Sequence, residues 1–250
     1  MSITETGKSQ RLELYWQLNS VDLKALLTSK LPAFKDRVEG QLNFQGEFSA
    51  EAHNSAMKPG SLKGSGETRV SSGTLKDFNL IALMMSRIGS SGSPISLQLS
   101  PSLVELAKSK DTPFEKLEAP VILDQEVIRT ENLQLSTPDY KITAAGWIMN
   151  DQATRWNGML VMSSRISQEL LRENKSLRYL IDRSGQINLP FRAEGTLANL
   201  RVRPDTRIIA QIVRRGSLPK TIEPPAIDKR QDAQEQKESL PAELEQLLSR

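Results

Sequence analysis

Side chains able to do covalent or metal chemistry are scarce in this sequence, and that scarcity is the first constraint on function. Cysteine is absent and histidine occurs once, as His53 in "AEAHNSAMKPG". Without cysteine there is neither a thiolate metal site nor a disulfide framework, and one histidine leaves a zinc site to carboxylates, which is an uncommon ligand set. A serine nucleophile would have to use His53 as its base, and no G-x-S-x-G elbow is present. "GSGETR" at residues 64–69 lacks the third glycine of a dinucleotide fingerprint, no Walker-type lysine follows a glycine-rich run, and the stretch reads as a turn into a strand "ETRVSSG". Paired carboxylates such as Asp182 and Asp205 are the one acid–base option left open. The expectation is a protein that is not an enzyme and that uses no metal and no cofactor.

Charge narrows the partners. There are 33 Lys and Arg against 30 Asp and Glu, a formal net charge of +3. That excess is too slight to indicate nucleic acid as a partner. Arg201, Arg203, Arg207, Arg214 and Arg215 nevertheless crowd one stretch, while the residues after 228 lean acidic. No run approaches the roughly 18 apolar residues of a membrane span, and the first twenty residues contain no apolar stretch of signal-peptide length.

The elements that would position any site are strands. Apolar residues alternate with period two, the mark of a sheet with one greasy face. The sets are Leu12, Leu14, Trp16 and Leu18; Val38, Leu42, Phe44 and Phe48; Tyr140, Ile142, Ala144 and Ile148; Trp156, Leu160 and Met162; and Ile187, Leu189, Phe191, Ala193 and Leu197. Glycines 40, 46, 146, 158, 185 and 195 fall on the same parity, which suits a strongly bent sheet. Pro190 falls on the other parity, where its missing donor favours an edge or a bulge. Helices are expected from Ser20 as a cap, over "TLKDFNLIALMMSRIG", over "SRISQELLRENKSLRYLIDRSG" with a weak middle at Asn174, and from an Asp205 cap to a Gly216 stop. The fold class is therefore mainly β with short helices. Residues 1–10 read as a flexible end, 11–216 as the sheet domain, 217–239 as a proline-rich linker expected to be disordered, and 240–250 as a short helix displaying Leu244, Leu247 and Leu248.

Three stretches carry a family resemblance. "GSGETRVSSGTLKDFNLIALM" (64–84), "TENLQLSTPDYKITAAGWIMN" (130–150) and "LRYLIDRSGQINLPFRAEGTLANLRVRPD" (177–205) together resemble the C-terminal region of the AsmA-like family of bacterial envelope proteins. The last motif is moderately specific and the others gain weight from their order; the likeness spans about residues 12–205. It implies a long, twisted and curved antiparallel sheet forming an open, taco-like half-pipe with an apolar lining. It also implies bridge-like lipid transfer, inner-membrane anchoring of the full-length relatives, extension through the periplasm, and no catalytic residues. The sequence carries neither the anchor helix nor the long repeat region of such proteins, so it resembles their distal part.

On this reading an uncovered apolar face shelters phospholipid acyl chains and contributes to lipid transport between inner and outer membranes. The lining is expected at Trp16, Leu42, Phe44, Phe48, Tyr140, Ile142, Ile148, Trp156, Leu160, Met162, Ile187, Leu189 and Phe191. Contact with a membrane surface is expected at Arg207, Arg214 and Arg215. The partners would be a phospholipid or related envelope lipid, the membrane surface and another envelope protein. The alternative is a periplasmic scaffold that regulates outer-membrane protein assembly through protein contacts, using exposed sheet edges for strand addition.

Overall fold

The computed structural model describes residues 2–6, 9–30, 36–53, 56–58, 60–88, 101–196, 199–219 and 221–227. Eleven strands among these residues form one antiparallel sheet. They are β1 (Ser2–Thr6), β2 (Ser9–Asp22), β3 (Val38–His53), β4 (Ala56–Met57), β5 (Lys63–Leu75), β6 (Thr112–Asp124), β7 (Val127–Ser136), β8 (Tyr140–Met149), β9 (Ala153–Met162), β10 (Asn188–Thr196) and β11 (Asn199–Pro204). Spatial order follows chain order, except that the two-residue β4 pairs beside the end of β3; β1 and β11 are the open edges, so the sheet does not close into a barrel.

The connections divide the molecule. At one end of the strands the links are short turns, as between Asp124 and Val127 or Met149 and Ala153, apart from the longer β3–β5 link that carries β4. At the other end lie all the helices: α1 (Leu23–Lys30), α2 (Leu80–Ile88), α3 (Pro101–Lys108), α4 (Ser164–Glu173), a 3-10 turn at Lys175–Leu180, and α5 (Thr206–Arg215). We call these the hairpin end and the helix end. Leu80, Ile81, Met84, Ile166, Leu170, Leu177, Leu180, Ile209 and Ile212 from the helices and the 3-10 turn share one buried cluster with Leu42, Val70, Leu135, Ile142, Leu160 and Leu189 from the sheet. The core is therefore a cap of short helices seated on half of one sheet face.

Local chemistry explains the helix boundaries. α5 starts where Asp205 Oδ1 accepts the Arg207 and Ile208 backbone N–H groups, and it stops at Gly216 in the left-handed region. The other carboxylate oxygen of Asp205 accepts from Arg192 Nε at 2.6 Å in a largely buried ion pair, so one side chain joins β10, the end of β11 and α5. Ser163 caps α4, and the helix breaks at Asn174, whose backbone is extended. Ser167, fully buried, accepts from the Ile187 N–H at 2.9 Å and stitches α4 to the entry of β10.

Several expectations need correction. Ser20 does not cap α1: β2 continues to Asp22, whose carboxylate accepts from Ala25 N, and Ser20 has positive φ beside a register shift, held by Asn43. "GSGETR" lies inside β5, paired on both sides, and is not a turn. Residues 2–6, taken from composition as a flexible end, form the edge strand β1, because ladder pairing to β2 needs backbone groups and no apolar side chains. Pro190 is buried in β10, which lies between β9 and β11, so it marks neither an edge strand nor a bulge. Its carbonyl accepts from Asp205 N, so its missing donor faces the side where β11 has already ended at Pro204. Residues 217–219 and 221–227 run without regular secondary structure, and Asn157 Nδ2 donates to the Glu223 carbonyl at 2.9 Å. The short helix expected at 240–250 lies outside the described residues.

Candidate functional site

The register ladders place the greasy positions of successive strands in rows across one face. Toward the helix end one row reads Leu42, Val70, Leu117, Leu135, Ile142, Leu160 and Leu189. Toward the hairpin end another reads Leu14, Phe48, Gly64, Leu123, Ile128 and Ile148. All twelve strand-borne residues expected to line a groove sit on this face, and Ile187 lies just ahead of β10 in the same core.

Their exposure then splits them. Leu42, Tyr140, Ile142, Leu160, Met162, Ile187, Leu189 and Phe191 are buried, Leu160 and Ile187 to 0% exposure. As lining residues these eight are corrected: the helix cap seals them, so they are core. Phe44, Phe48, Ile148 and Trp156 are half-buried, and Trp16 is 54% exposed. The open surface also includes Leu12, Leu14, Leu123 and Ile128, the last 44% exposed, none of which was among the expected lining residues. Leu123 and Ile128 flank the tight β6–β7 turn, where Gln125 has positive φ, and "VILDQEVI" carried the signal of two apolar runs around a short polar turn.

Glycines shape this face by seating rings. Phe48 pairs directly with Gly64, Phe114 with Gly73, Trp156 with Gly146 and Phe191 with Gly158. A Cβ placed on Gly146 would lie 2.5 Å from the Trp156 ring, and a Cβ at any of the other three glycines would also meet the partner's ring. Each aromatic side chain therefore lies flat over the neighbouring strand, and the glycine is the space it occupies. At the hairpin end the result is a run of rings: Trp16 and Phe48 have centroids 5.7 Å apart, and Phe48 and Phe44 stack at 6.1 Å.

The polar groups beside Trp156 are satisfied, whereas Trp147 Nε1, on the opposite face of β8, and Glu169 Oε2, on α4, are buried without a partner. Trp156 Nε1 donates to Thr154 Oγ1 at 2.6 Å, and that hydroxyl donates to the Trp147 carbonyl at 2.7 Å. Tyr140, under the cap, has its phenol pushed above its ordinary range by burial, against the opposing pull of a hydrogen bond with Thr112. Asp182 and Asp205, the acid–base option left open by sequence, are structural. Partial burial pushes the Asp182 carboxyl up, but donors from Gln186, Asn188 and Ser184 outweigh this and hold it below its usual range, as the anchor of the turn into β10. Asp205 is committed to Arg192 and the α5 cap.

Arg207, Arg214 and Arg215 are exposed on α5, at the helix end, so the structure does not bring them beside Trp16 or Ile128. A polar depression of about 340 Å³ is lined in part by Gln17, Gln45, Glu67, Arg69 and Glu118. Two of its charges are paired, Arg69 to Glu118 at 2.6 Å, and Lys116 reaches the same carboxylate at 2.8 Å. Among the described residues no group of three or more His, Asp or Glu side chains is placed to hold a metal ion, and no helix is long and apolar enough to cross a membrane. The site is thus an apolar half-face, open beyond the helix cap. No family model, curated protein or solved structure matches the chain.

Proposed function

We propose that the uncovered half of the apolar face shelters the acyl chains of a phospholipid or related envelope lipid, with headgroups left in water, and that the protein contributes non-enzymatically to lipid movement between the inner and outer membranes. The observation that carries this reading is the continuation of the greasy face past its helical cover, ending in exposed Trp16 and Ile128. Contiguous apolar surface of this kind usually marks a binding region. Burial contributes about 0.8 kcal/mol per methylene, so a chain of roughly 16 carbons gains about 12 kcal/mol before ordering costs. A lining of rings and aliphatic groups offers few directional anchors, which lets a guest slide.

A trough shape, the finer part of this reading, has two supports. Extra residues shift the register in β2 between Leu18 and Val21, between β3 and β5 near Gly40, and in β7 between Thr130 and Leu133; such bulges bend and twist a sheet. In addition, α2, joined to β5 by residues 76–79, comes within 8 Å of β11, six strand positions away, an approach that a curved sheet favours.

In the proposal Arg207, Arg214 and Arg215 contact anionic headgroups, at about 1 kcal/mol per cation near a charged surface. Changing all three to Gln should lower co-sedimentation with vesicles containing anionic phospholipid; unchanged sedimentation removes this role. The periplasmic setting follows from the AsmA-like resemblance and stands with it. The test of the main reading is native mass spectrometry after gentle purification, with extraction and identification of bound lipid. Copurified lipid supports it, and a stoichiometric protein partner without lipid supports the scaffold alternative.

A further inference from the structure

The outward face of the sheet carries a second concave surface with different chemistry. Side chains of the parity opposite to the greasy rows line the polar depression of about 340 Å³, a trough that crosses β2, β3, β5, β6 and β7. Six of its lining residues are amides: Gln17, Asn19, Asn43, Gln45, Asn132 and Gln134. We infer that this trough binds a neutral saccharide, the amides hydrogen-bonding its hydroxyls and the Tyr15 ring at the rim receiving the apolar face of a sugar. The site stands apart from the apolar face and from any guest that face carries.

Strand register sets the polar groups out as a grid. Gln17, Gln45 and Glu67 stand opposite one another on β2, β3 and β5, and Asn43, Arg69, Glu118 and Gln134 form the adjoining row across β3, β5, β6 and β7. Neighbouring strands lie about 4.8 Å apart, and two residues along a strand span about 6.8 Å. The register between β6 and β7 shifts after Glu118, and Asn132 lies in the irregular stretch of β7; such bulges bend a sheet and re-aim side chains. Pro120, opposite Glu67, adds little bulk. Tyr15 is two residues before Gln17 on the same face and is 54% exposed.

The chemistry of the lining selects the guest. Gln17, Asn19 and Gln45 make no hydrogen bond among the described residues. Asn43 Oδ1 accepts from Ser20 N at 3.0 Å, and Gln134 Nε2 donates to Asn132 Oδ1 at 3.2 Å, which holds these amides in place and leaves each with capacity to spare. An amide offers donors and an acceptor side by side, and a hydroxyl group is likewise both donor and acceptor. Charge is balanced, since Arg69 and Lys116 offset Glu67 and Glu118, so neither an anion nor a cation is favoured. β3 and β5, at the centre of the trough, are paired on both sides, which leaves no backbone edge there for an added peptide strand. The aromatic ring at the rim suits a ligand with one apolar face.

The test is titration of the full, isotope-labelled chain with maltotriose, cellotriose and chitotriose, followed through side-chain amide resonances. At least one sugar should move the Gln17, Asn19 and Gln45 signals saturably at millimolar concentration and leave those of Asn157 and Asn188, outside the trough, in place. Gln45→Ala should weaken that binding about fivefold, Gln17→Ala and Tyr15→Ala should each weaken it severalfold, and Lys141→Ala, exposed on β8 beyond the trough, should leave it unchanged. All four positions are exposed, so far-ultraviolet dichroism should not change. Absence of saturable shifts with all three sugars overturns the inference. So does unchanged affinity in the folded Gln45→Ala and Gln17→Ala variants, or equal binding of tetraglycine, which brings amides without hydroxyls. None of these probes has an acyl chain, so a protein that binds the sugar but no lipid would reject the proposed function and keep this site.

Discussion

Leu160 and Ile128 occupy the same face of the same sheet, two strands apart, yet one is sealed and the other is 44% exposed. The difference lies in what crosses over them. At the helix end the long connections fold back as helices and deliver leucines and isoleucines onto the sheet; at the hairpin end, among the described residues, the connections are tight turns apart from the β3–β5 link with its two-residue β4, and none carries a helix. Alternation specifies which face is greasy, and connection length specifies how much of it is covered. On the proposed reading, stability and binding fall at different ends of one surface.

This division can be tested by paired substitutions. The largest effect is expected at the helix end: Leu160→Ala should cost about 2–5 kcal/mol, the range for a buried leucine whose cavity cannot collapse, read as a lower urea midpoint with unchanged slope. Its counterpart Trp16→Ala should shift the midpoint by less than about 0.5 kcal/mol, as for surface positions, while weakening acyl-chain binding. Equal losses at both sites would erase the distinction between core and binding face.

Next come the ring seats. Gly158→Val forces the Phe191 ring off its place beneath the cap and should cost about 1–3 kcal/mol. Truncating the rings themselves separates the two ends: Phe191→Ala empties a buried seat and should cost more than Phe48→Ala, whose ring is half-buried at the open end. The comparison is made by thermal unfolding, and a larger loss at Phe48 would contradict the account of the cover.

The smallest effect concerns pH. Burial raises the Tyr140 phenol above its ordinary range, so the folded state keeps the proton that the unfolded chain releases near pH 10. The associated stability is fully present below that pH and is lost as pH rises toward the folded value. Tyr140→Phe should flatten the alkaline part of a stability–pH curve; an identical alkaline decline in the variant would remove Tyr140 as its source.

Much of the sheet was legible in the sequence. Period two marked the inward parity of β2, β3, β8, β9 and β10 correctly, because a strand face is a local property of alternating side chains. The Asp205 cap, the Gly216 stop and the break at Asn174 were legible for the same reason. What was not legible depends on distant partners. The eight buried lining candidates look the same in sequence as Trp16 and Phe48, and only the docking of α2, α4 and α5 separates them. Gly146 and Gly158 were read as permitting bends, whereas they, like Gly64 and Gly73, are seats for rings from the adjacent strand, visible only once the register is known. α3 was missed although "PSLVELAK" offers a proline at its first position, and β1 was missed because an edge strand can be held by backbone pairing without an apolar pattern.

The most direct test uses Trp16 as its own reporter. With Trp147→Phe and Trp156→Phe leaving Trp16 as the single tryptophan, emission is measured as phospholipid brominated along its acyl chains is added, against the same lipid without bromine. The proposed function predicts saturable quenching by the brominated lipid alone, since the indole would lie against the chains. Undiminished Trp16 emission at lipid concentrations that saturate binding would contradict acyl-chain shelter at the open end of the sheet.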